Sequence, residues 1–191
     1  MSGTPTILVV CTGNVCRSPM LERLLQREVD AAHGSGVVSV RSAGTRALVG
    51  SPMDERSAQL LERLGGDPEG FAARALSEQV VAGADLVLTA TPEHRSAVVS
   101  LDPRALRRTF TVHELAALCS AVPDDRLPRW EEPAGALAAL AEAARARRGE
   151  VGRPPTTGLV DPFRRSDEVY AELEQQVREV LPDLARALRQ R

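Results

Sequence analysis

Two side chains near the start of the chain have the types and spacing for nucleophilic chemistry on an anion. They are the thiol of Cys11 and the guanidinium of Arg17, with five residues between them. Those five are Thr12-Gly13-Asn14-Val15-Cys16, and Ser18-Pro19 follows. The backbone N–H groups of a tight loop that feeds a helix converge on one point and bind anions there. Arg17 adds two parallel charge-assisted bonds, a geometry suited to a doubly negative tetrahedral group such as phosphate, sulfate or vanadate. The same positive field favours thiolate over thiol at Cys11, and a thiolate facing bound phosphorus is a nucleophile for phosphoryl transfer. Thr12, Gly13, Asn14, Val15, Cys16 and Arg17 are the candidate phosphate-binding residues.

Such a loop needs a strand before it and a helix after it. Ile7 to Val10 is a short apolar run that reads as a buried strand ending on Cys11. Pro19 fits a first helical turn and Ser18 its cap, and Met20, Leu21, Leu24, Leu25 and Val29 recur at helical spacing to about Ala32. Gly34-Ser35-Gly36 breaks that helix, and Val37, Val38 and Val40 mark a second strand. Strand, helix and strand at this length make a βαβ unit with parallel strands. Ser51-Pro52 reads as the opening of a further helix through Ala58, Leu60, Leu61 and Leu64. After a polar helical turn around Ser77 to Val81, Asp85 to Ala90 reads as a third buried strand. A helix follows from Thr91-Pro92-Glu93-His94 to about Ser100. Arg107 to Val112 reads as a fourth strand, and His113 to Leu118 as a short helix.

From Ala121 to Thr157 the character changes. Pro123, Pro128, Pro133, Pro154 and Pro155 bracket an Ala-rich helix, Ala134 to Arg148, which reads as a lid-like excursion rather than core. Arg145, Arg147 and Arg148 share a solvated face with Glu142 and Glu150, and Trp130 among the prolines reads as partly buried core. Ser166-Asp167-Glu168 caps the last helix, whose apolar positions are Val169, Leu173, Val177, Val180 and Leu184; Pro182 should kink or split it. The expected fold is α/β, a three-layer sandwich with a four-stranded parallel sheet flanked by helices and the phosphate loop after the first strand. One domain spans residues 1–191, with a helical insertion at about 121–157. Ligands of such sheets bind at the carboxyl ends of the strands, where Cys11 stands.

Composition excludes several function classes. A formal net charge of −2 gives no electrostatic case for nucleic acid or a membrane as partner. No apolar run approaches a membrane span, and no signal pattern is visible at the start. Three cysteines do not make a disulfide framework and suit a reducing cytoplasm. His33, His94 and His113 have no metal-ligand spacing, so no metal or other cofactor is expected, and His94 and His113 read as helix-start surface residues. All 24 basic residues are Arg, and Ile7 and Asn14 are the sole Ile and Asn, a bias typical of GC-rich coding sequence. Asn14 therefore stands where left-handed geometry and a bonding amide are needed.

The nonapeptide Cys11-Thr12-Gly13-Asn14-Val15-Cys16-Arg17-Ser18-Pro19 resembles the signature of the low-molecular-weight protein tyrosine phosphatases. Ser42-Ala43-Gly44-Thr45, the Asp85 to Arg95 stretch and Asp161-Pro162-Phe163 recur in that family's order. The resemblance implies a cytoplasmic bacterial hydrolase that acts on phosphorylated protein or peptide without a metal. Cys11 would form a cysteinyl-phosphate, Arg17 would stabilise the transferring group, and Asp161 would serve as acid and then base. Ser18, Ser42 and Pro162 would support the site, and Leu48 and Phe163 would wall the substrate pocket. Asp102-Pro103 repeats the Asp-Pro dipeptide but reads as a turn before the fourth strand. Cys16 stays open between a second redox thiol and a small side chain packed behind the loop. Phe71 stands where many relatives have a loop-supporting histidine, so support is expected to be apolar or rearranged; Arg164 replaces a second aromatic. A protein arginine phosphatase is the alternative, although those resemble a form with Thr in place of Val15. Arsenate reduction and a non-catalytic phosphate-binding module are weaker alternatives: one lacks relay cysteines, the other needs neither nucleophile nor acid.

Overall fold

The computed structural model describes residues 4–152 and 158–189. Four strands, β1 (Thr6–Cys11), β2 (Ser39–Gly44), β3 (Leu86–Thr89) and β4 (Thr109–Thr111), form one sheet in the order β2-β1-β3-β4. All three pairings are parallel, with Ile7 opposite both Val40 and Leu86, and Thr89 opposite Thr111. The central strands are apolar from Ile7 to Val10 and from Leu86 to Leu88 because a parallel sheet is covered on both faces. Ile7, Val9, Leu86 and Leu88 point into the larger core, built with α1 (Arg17–His33), α2 (Glu55–Arg63), α5 (Val112–Ser120) and α7 (Asp167–Arg189). Leu8, Val10 and Val87 point into the smaller one, with Val81 of α3 (Glu78–Ala82) and Val98 of α4 (Pro92–Leu101). The three-layer sandwich is thus the expected one, and Cys11 ends the central strand beside the phosphate loop.

Several boundaries differ from the sequence reading, each for a local reason. The second strand lies further on than Val37: Ser39 N bonds Pro5 O, and pairing then runs to Gly44. Ser51-Pro52 does not open α2. Gly50 N donates to Ala73 O and Ala73 N to Ser51 O, both at 2.9 Å, so this backbone is held extended. Asp54 caps the helix instead, accepting from Ser57 N at 3.1 Å. Arg107 and Arg108 lie in a 3-10 turn, Pro103–Arg108, capped by Asp102, and β4 is correspondingly short. Pro182 leaves α7 continuous and lies on its exposed face, where the carbonyl it leaves without a backbone donor is not shut away from solvent.

The largest departure concerns the segment after Ala121. Helix α6 (Pro133–Ala146) buries Ala136, Leu137, Leu140, Ala141 and Ala144 in the larger core, and Leu127 and Trp130 are buried with them. Trp130 Nε1 donates to Ala187 O at 3.3 Å and its ring stacks on His33. Ala141 and Arg145 line a groove with Ala84, Asp85 and Arg107, at the amino end of β3. Over its described residues, to 152, this segment packs as core, on the opposite edge of the sheet from Cys11, and does not cover the loop. Arg147 pairs with Glu150 and Arg148 with Glu114, consistent with a solvated face. Pro154 and Pro155 lie outside the described residues. Among the described residues no helix is long and apolar enough to cross a membrane.

Candidate active site

The loop's shape follows from where its carbonyls go. Cys11 O, Thr12 O and Gly13 O accept from Thr45 N, Arg46 N and Leu48 N at 2.9, 2.9 and 3.0 Å. Val15 O accepts from Asp54 N at 2.8 Å and Cys16 O from Met20 N at 3.3 Å. A trans peptide aims its N–H opposite its C=O, so the amides of residues 12, 13, 14, 16 and 17 are turned towards the other side. Gly44 allows this closeness, since a Cβ there would stand 2.5 Å from Thr12 O.

Asn14 locks the loop from beneath. Its φ of 55° is left-handed, as its type suggests. Its Oδ1 accepts from Arg74 N at 2.7 Å, which fixes the amide's orientation. Nδ2 then donates to Ser18 Oγ at 2.9 Å and Ser42 Oγ at 2.7 Å. Ser42 donates onward to Glu22 Oε2 at 2.5 Å, and Glu22 also meets Arg74 Nη2 at 2.9 Å. Cys11 Sγ is 2.9 Å from Ser18 Oγ. Loop support is therefore a rearranged polar network, while Phe71 is buried in the larger core.

Cys11, Thr12, Gly13, Val15, Cys16 and Arg17 line a cleft of about 150 Å³, together with Arg46, Leu48, Asp161 and Phe163. Arg17 is 5% exposed at its side chain and Asp161 51%, and Arg17 Nη2 pairs with Asp161 Oδ2 at 2.8 Å. Nη1 donates to Leu159 O at 3.2 Å and Nη2 to Thr12 Oγ1 at 3.4 Å, whereas the buried Nε has no partner among the described residues. Pro162 is buried behind Asp161, and Asp161 Oδ1 accepts from Phe163 N at 3.3 Å. Leu48 is 45% exposed at the mouth, and Arg164 stacks on Phe163 with φ 59°. Each candidate catalytic, phosphate-binding, supporting or pocket residue is thus in or directly behind the cleft. Cys16 is held as a thiol: burial pushes its pKa up to about 12, against a hydrogen bond with Ser57.

Sequence reasoning missed several residues at or near the site. Glu22 follows Ser18 by one helical turn and is an acid on a buried face of α1, which was a readable signal. His94 is no surface residue. It is buried, with Nε2 2.9 Å from Thr12 Oγ1 and Nδ1 2.8 Å from Thr91 Oγ1. Burial, and then Arg17, hold its pKa down at about 4. His113 is also partly buried, with both ring nitrogens enclosed and its pKa lowered by burial. Arg46 is at the cleft, and Gly158 lies against Ala90, where a Cβ would come within 2.3 Å of Ala90 O. Close approaches of that kind depend on chain path and leave no local pattern.

A thiol and a guanidinium fork at the two ends of an amide-lined loop, on the carboxyl edge of a parallel sheet, define a cysteine-dependent phosphatase. Residues 6–124 match the family described as low molecular weight phosphotyrosine protein phosphatase, and the chain belongs to that family. It is 38% identical over 105 residues to the low molecular weight protein-tyrosine-phosphatase Etp of Escherichia coli, covering 55% of this chain and 67% of Etp. Among solved structures, the arginine phosphatase YwlE of Geobacillus stearothermophilus matches with a TM-score of 0.66 at 26% identity, over 95% of this chain and 90% of that one. Wzb of Vibrio vulnificus, solved with benzylphosphonate, matches with a TM-score of 0.65 over 96% of this chain and 98% of its own; at 24% identity that likeness is one of fold.

Proposed function

We propose that this protein hydrolyses phosphotyrosine-type monoesters on protein or peptide, with Cys11 as nucleophile, Arg17 and the loop amides as phosphate ligands, and Asp161 as acid and base. One observation carries the reading: the buried guanidinium of Arg17 meets the Asp161 carboxylate across the cleft at 2.8 Å, beside Cys11. The carboxylate occupies the position an anionic oxygen of phosphate would take, and the unpartnered Nε completes the fork for a second oxygen.

Ser18 Oγ accepts from Asn14, so its proton is free to point at Cys11 Sγ and favour the anionic sulfur. The thiolate attacks phosphorus, the bond to the phenolic oxygen breaks, and Asp161 in its acid form protonates that oxygen. Water then attacks phosphorus as Asp161 removes its proton, the P–S bond breaks, and the thiolate is restored. Ser42 and Pro162 hold the loop and the acid in place, and Leu48 and Phe163 flank the aryl ring. We also read residues 1–191 as one phosphatase domain that works in the cytoplasm, with the 121–157 segment as an insertion.

The likeness to an arginine phosphatase keeps phosphoarginine as a second substrate to measure. The buried, apolar Val15 at the cleft wall suits an aryl ring better than a guanidinium. Phosphotyrosine, phosphoarginine and phosphoserine peptides compared on one reduced preparation decide between them. Phosphotyrosine is expected to give the highest kcat/KM, and Cys11→Ser to abolish turnover on every substrate. Full turnover by that variant ends the cysteinyl-phosphate mechanism.

A further inference from the structure

Arg17 faces two acceptors with the same nitrogen. Nη2 meets Asp161 Oδ2 at 2.8 Å and Thr12 Oγ1 at 3.4 Å. When a phosphate enters and the carboxylate leaves, Thr12 and Leu159 O are the groups that still hold the fork. What orients the Thr12 hydroxyl therefore matters to how the guanidinium waits for its ligand.

That hydroxyl belongs to a longer chain of hydrogen bonds. Thr12 Oγ1 is 2.9 Å from His94 Nε2, and His94 Nδ1 is 2.8 Å from Thr91 Oγ1. Beyond Thr91 lies the exposed Glu93 carboxylate, which a hydrogen bond with the Thr91 side chain holds below its ordinary pKa. A carboxylate only accepts, so Thr91 must spend its proton on Glu93. Thr91 Oγ1 then accepts from His94 Nδ1–H. The bare Nε2 accepts from Thr12 O–H, and the Thr12 lone pairs are left facing Arg17. One direction of donation satisfies every member, from guanidinium cation to carboxylate anion, and such chains polarise along their length. The charged groups around the imidazole are Arg17, Glu93, Asp161 and Arg46.

The same junction between β3 and α4 holds the acid loop. Leu159 N donates to Ala90 O at 2.8 Å, and Leu159 O accepts from Arg17 Nη1. Residues 90–94 thus reach both Nη atoms of Arg17, one through Leu159 and the other through His94 and Thr12.

We propose that His94 is a positioning residue: with Thr91 and Glu93 behind it, it fixes the Thr12 hydroxyl as the acceptor that keeps Arg17 aligned for phosphate once Asp161 is displaced. This rests on the phosphatase reading above for its consequence in catalysis, but the hydrogen-bond chain is measurable without turnover. In the wild type, the ring 15N shifts of His94 at pH 7 should show the neutral Nδ1–H tautomer. An Nε2–H tautomer overturns the proposal whatever the enzyme hydrolyses.

The kinetic arm uses p-nitrophenyl phosphate as substrate and vanadate as ligand. His94→Phe, which keeps the ring and removes both nitrogens, should weaken vanadate about tenfold and lower kcat/KM by a similar factor. His94→Gln, whose amide oxygen can accept from Thr12, should recover most of that loss. In a Thr12→Val background His94→Phe should cost nothing further, since the pair acts as a unit. The surface variant Glu93→Ala guards against misfolding; it should raise the Nε2–H population without changing the melting temperature. Unchanged vanadate affinity in His94→Phe, or a full additional loss in the Thr12→Val background, overturns the proposal. A wild type that binds vanadate and shows the Nδ1–H tautomer yet turns over no aryl phosphate leaves the chain standing and removes the phosphatase reading.

Discussion

Gly158→Ala tests how tightly the acid loop is seated. Gly158 has φ 129°, a conformation side-chain-bearing residues rarely adopt, and a Cβ there would lie 2.3 Å from Ala90 O, 2.8 Å from Thr91 Cα and 3.0 Å from Thr91 Cγ2. Two of those neighbours are backbone atoms at the end of the sheet and cannot rotate away. A comfortable C···O approach is about 3.3 Å, so the loop must withdraw by about 1 Å. Leu159 N would then lose Ala90 O, and Leu159 O would be drawn from Arg17 Nη1. The strain and the lost bonds together should cost about 1–3 kcal/mol of stability.

The larger effect is on catalysis, since misplacing a reacting group by about 1 Å costs on the order of 100-fold in rate. It should depend on the leaving group. Phenyl phosphate, whose phenolate leaves as a strong base, needs Asp161 far more than p-nitrophenyl phosphate does. Steady-state kinetics on both substrates are the assay, with the ratio of the two kcat losses as readout. A Gly158→Ala enzyme with wild-type kcat on phenyl phosphate would refute the account of how the acid is placed.

Asp161→Asn removes both the acid and the carboxylate that sits on Arg17. Turnover should fall by about 10²–10⁴, while vanadate binds several-fold more tightly; weaker vanadate binding contradicts the competition. Glu22→Gln leaves Arg74 without its counter-charge and Ser42 with a poorer acceptor. A loss of about 1–3 kcal/mol should appear in urea unfolding, and an unchanged midpoint counts against the network. His94 has a folded pKa of about 4 against an ordinary 6.5. The unfolded chain binds the proton more tightly, so stability is full above pH 6.5 and falls as pH drops towards 4. With screening by nearby solvent the loss should be about 1–2 kcal/mol. It should be absent from His94→Gln, and equal slopes in the two proteins would refute it.

How far the sequence spoke depended on how local the cause was. The Cys11–Arg17 loop, β1 and the body of α1 follow from neighbours in sequence, although Ser18 lies inside the helix rather than capping it, since α1 begins at Arg17 after Cys16. Asn14 was legible because one left-handed turn needs an amide, and Asp161 because a family order supports it. Ser51-Pro52 misled because the competing partner, Ala73, is distant in the chain. The segment after Ala121 misled for a different reason. Its prolines and charges look like an outlying excursion, but one face of α6 is Ala136, Leu137, Leu140, Ala141 and Ala144, and that face is core. The helix-start position of His94 suggests a surface residue, but its partner Thr12 arrives from the loop after β1, distant in the chain.

The five loop carbonyls bonded to residues 45, 46, 48, 54 and 20 carry a consequence for how this site tolerates change. The loop is held open mainly by main-chain amides; from the 45–54 segment Thr45 alone adds a side-chain bond among the described residues, a long one of 3.5 Å from its Oγ1 to Cys11 O. Its shape is therefore insensitive to which residues stand there, provided the path of the chain is kept and Gly44 stays bare. Substrate choice can drift through Arg46, Leu48 and their neighbours while the phosphate cradle stays rigid. An arriving anion meets amides already in place and has little chain to order, so affinity and selectivity can change independently.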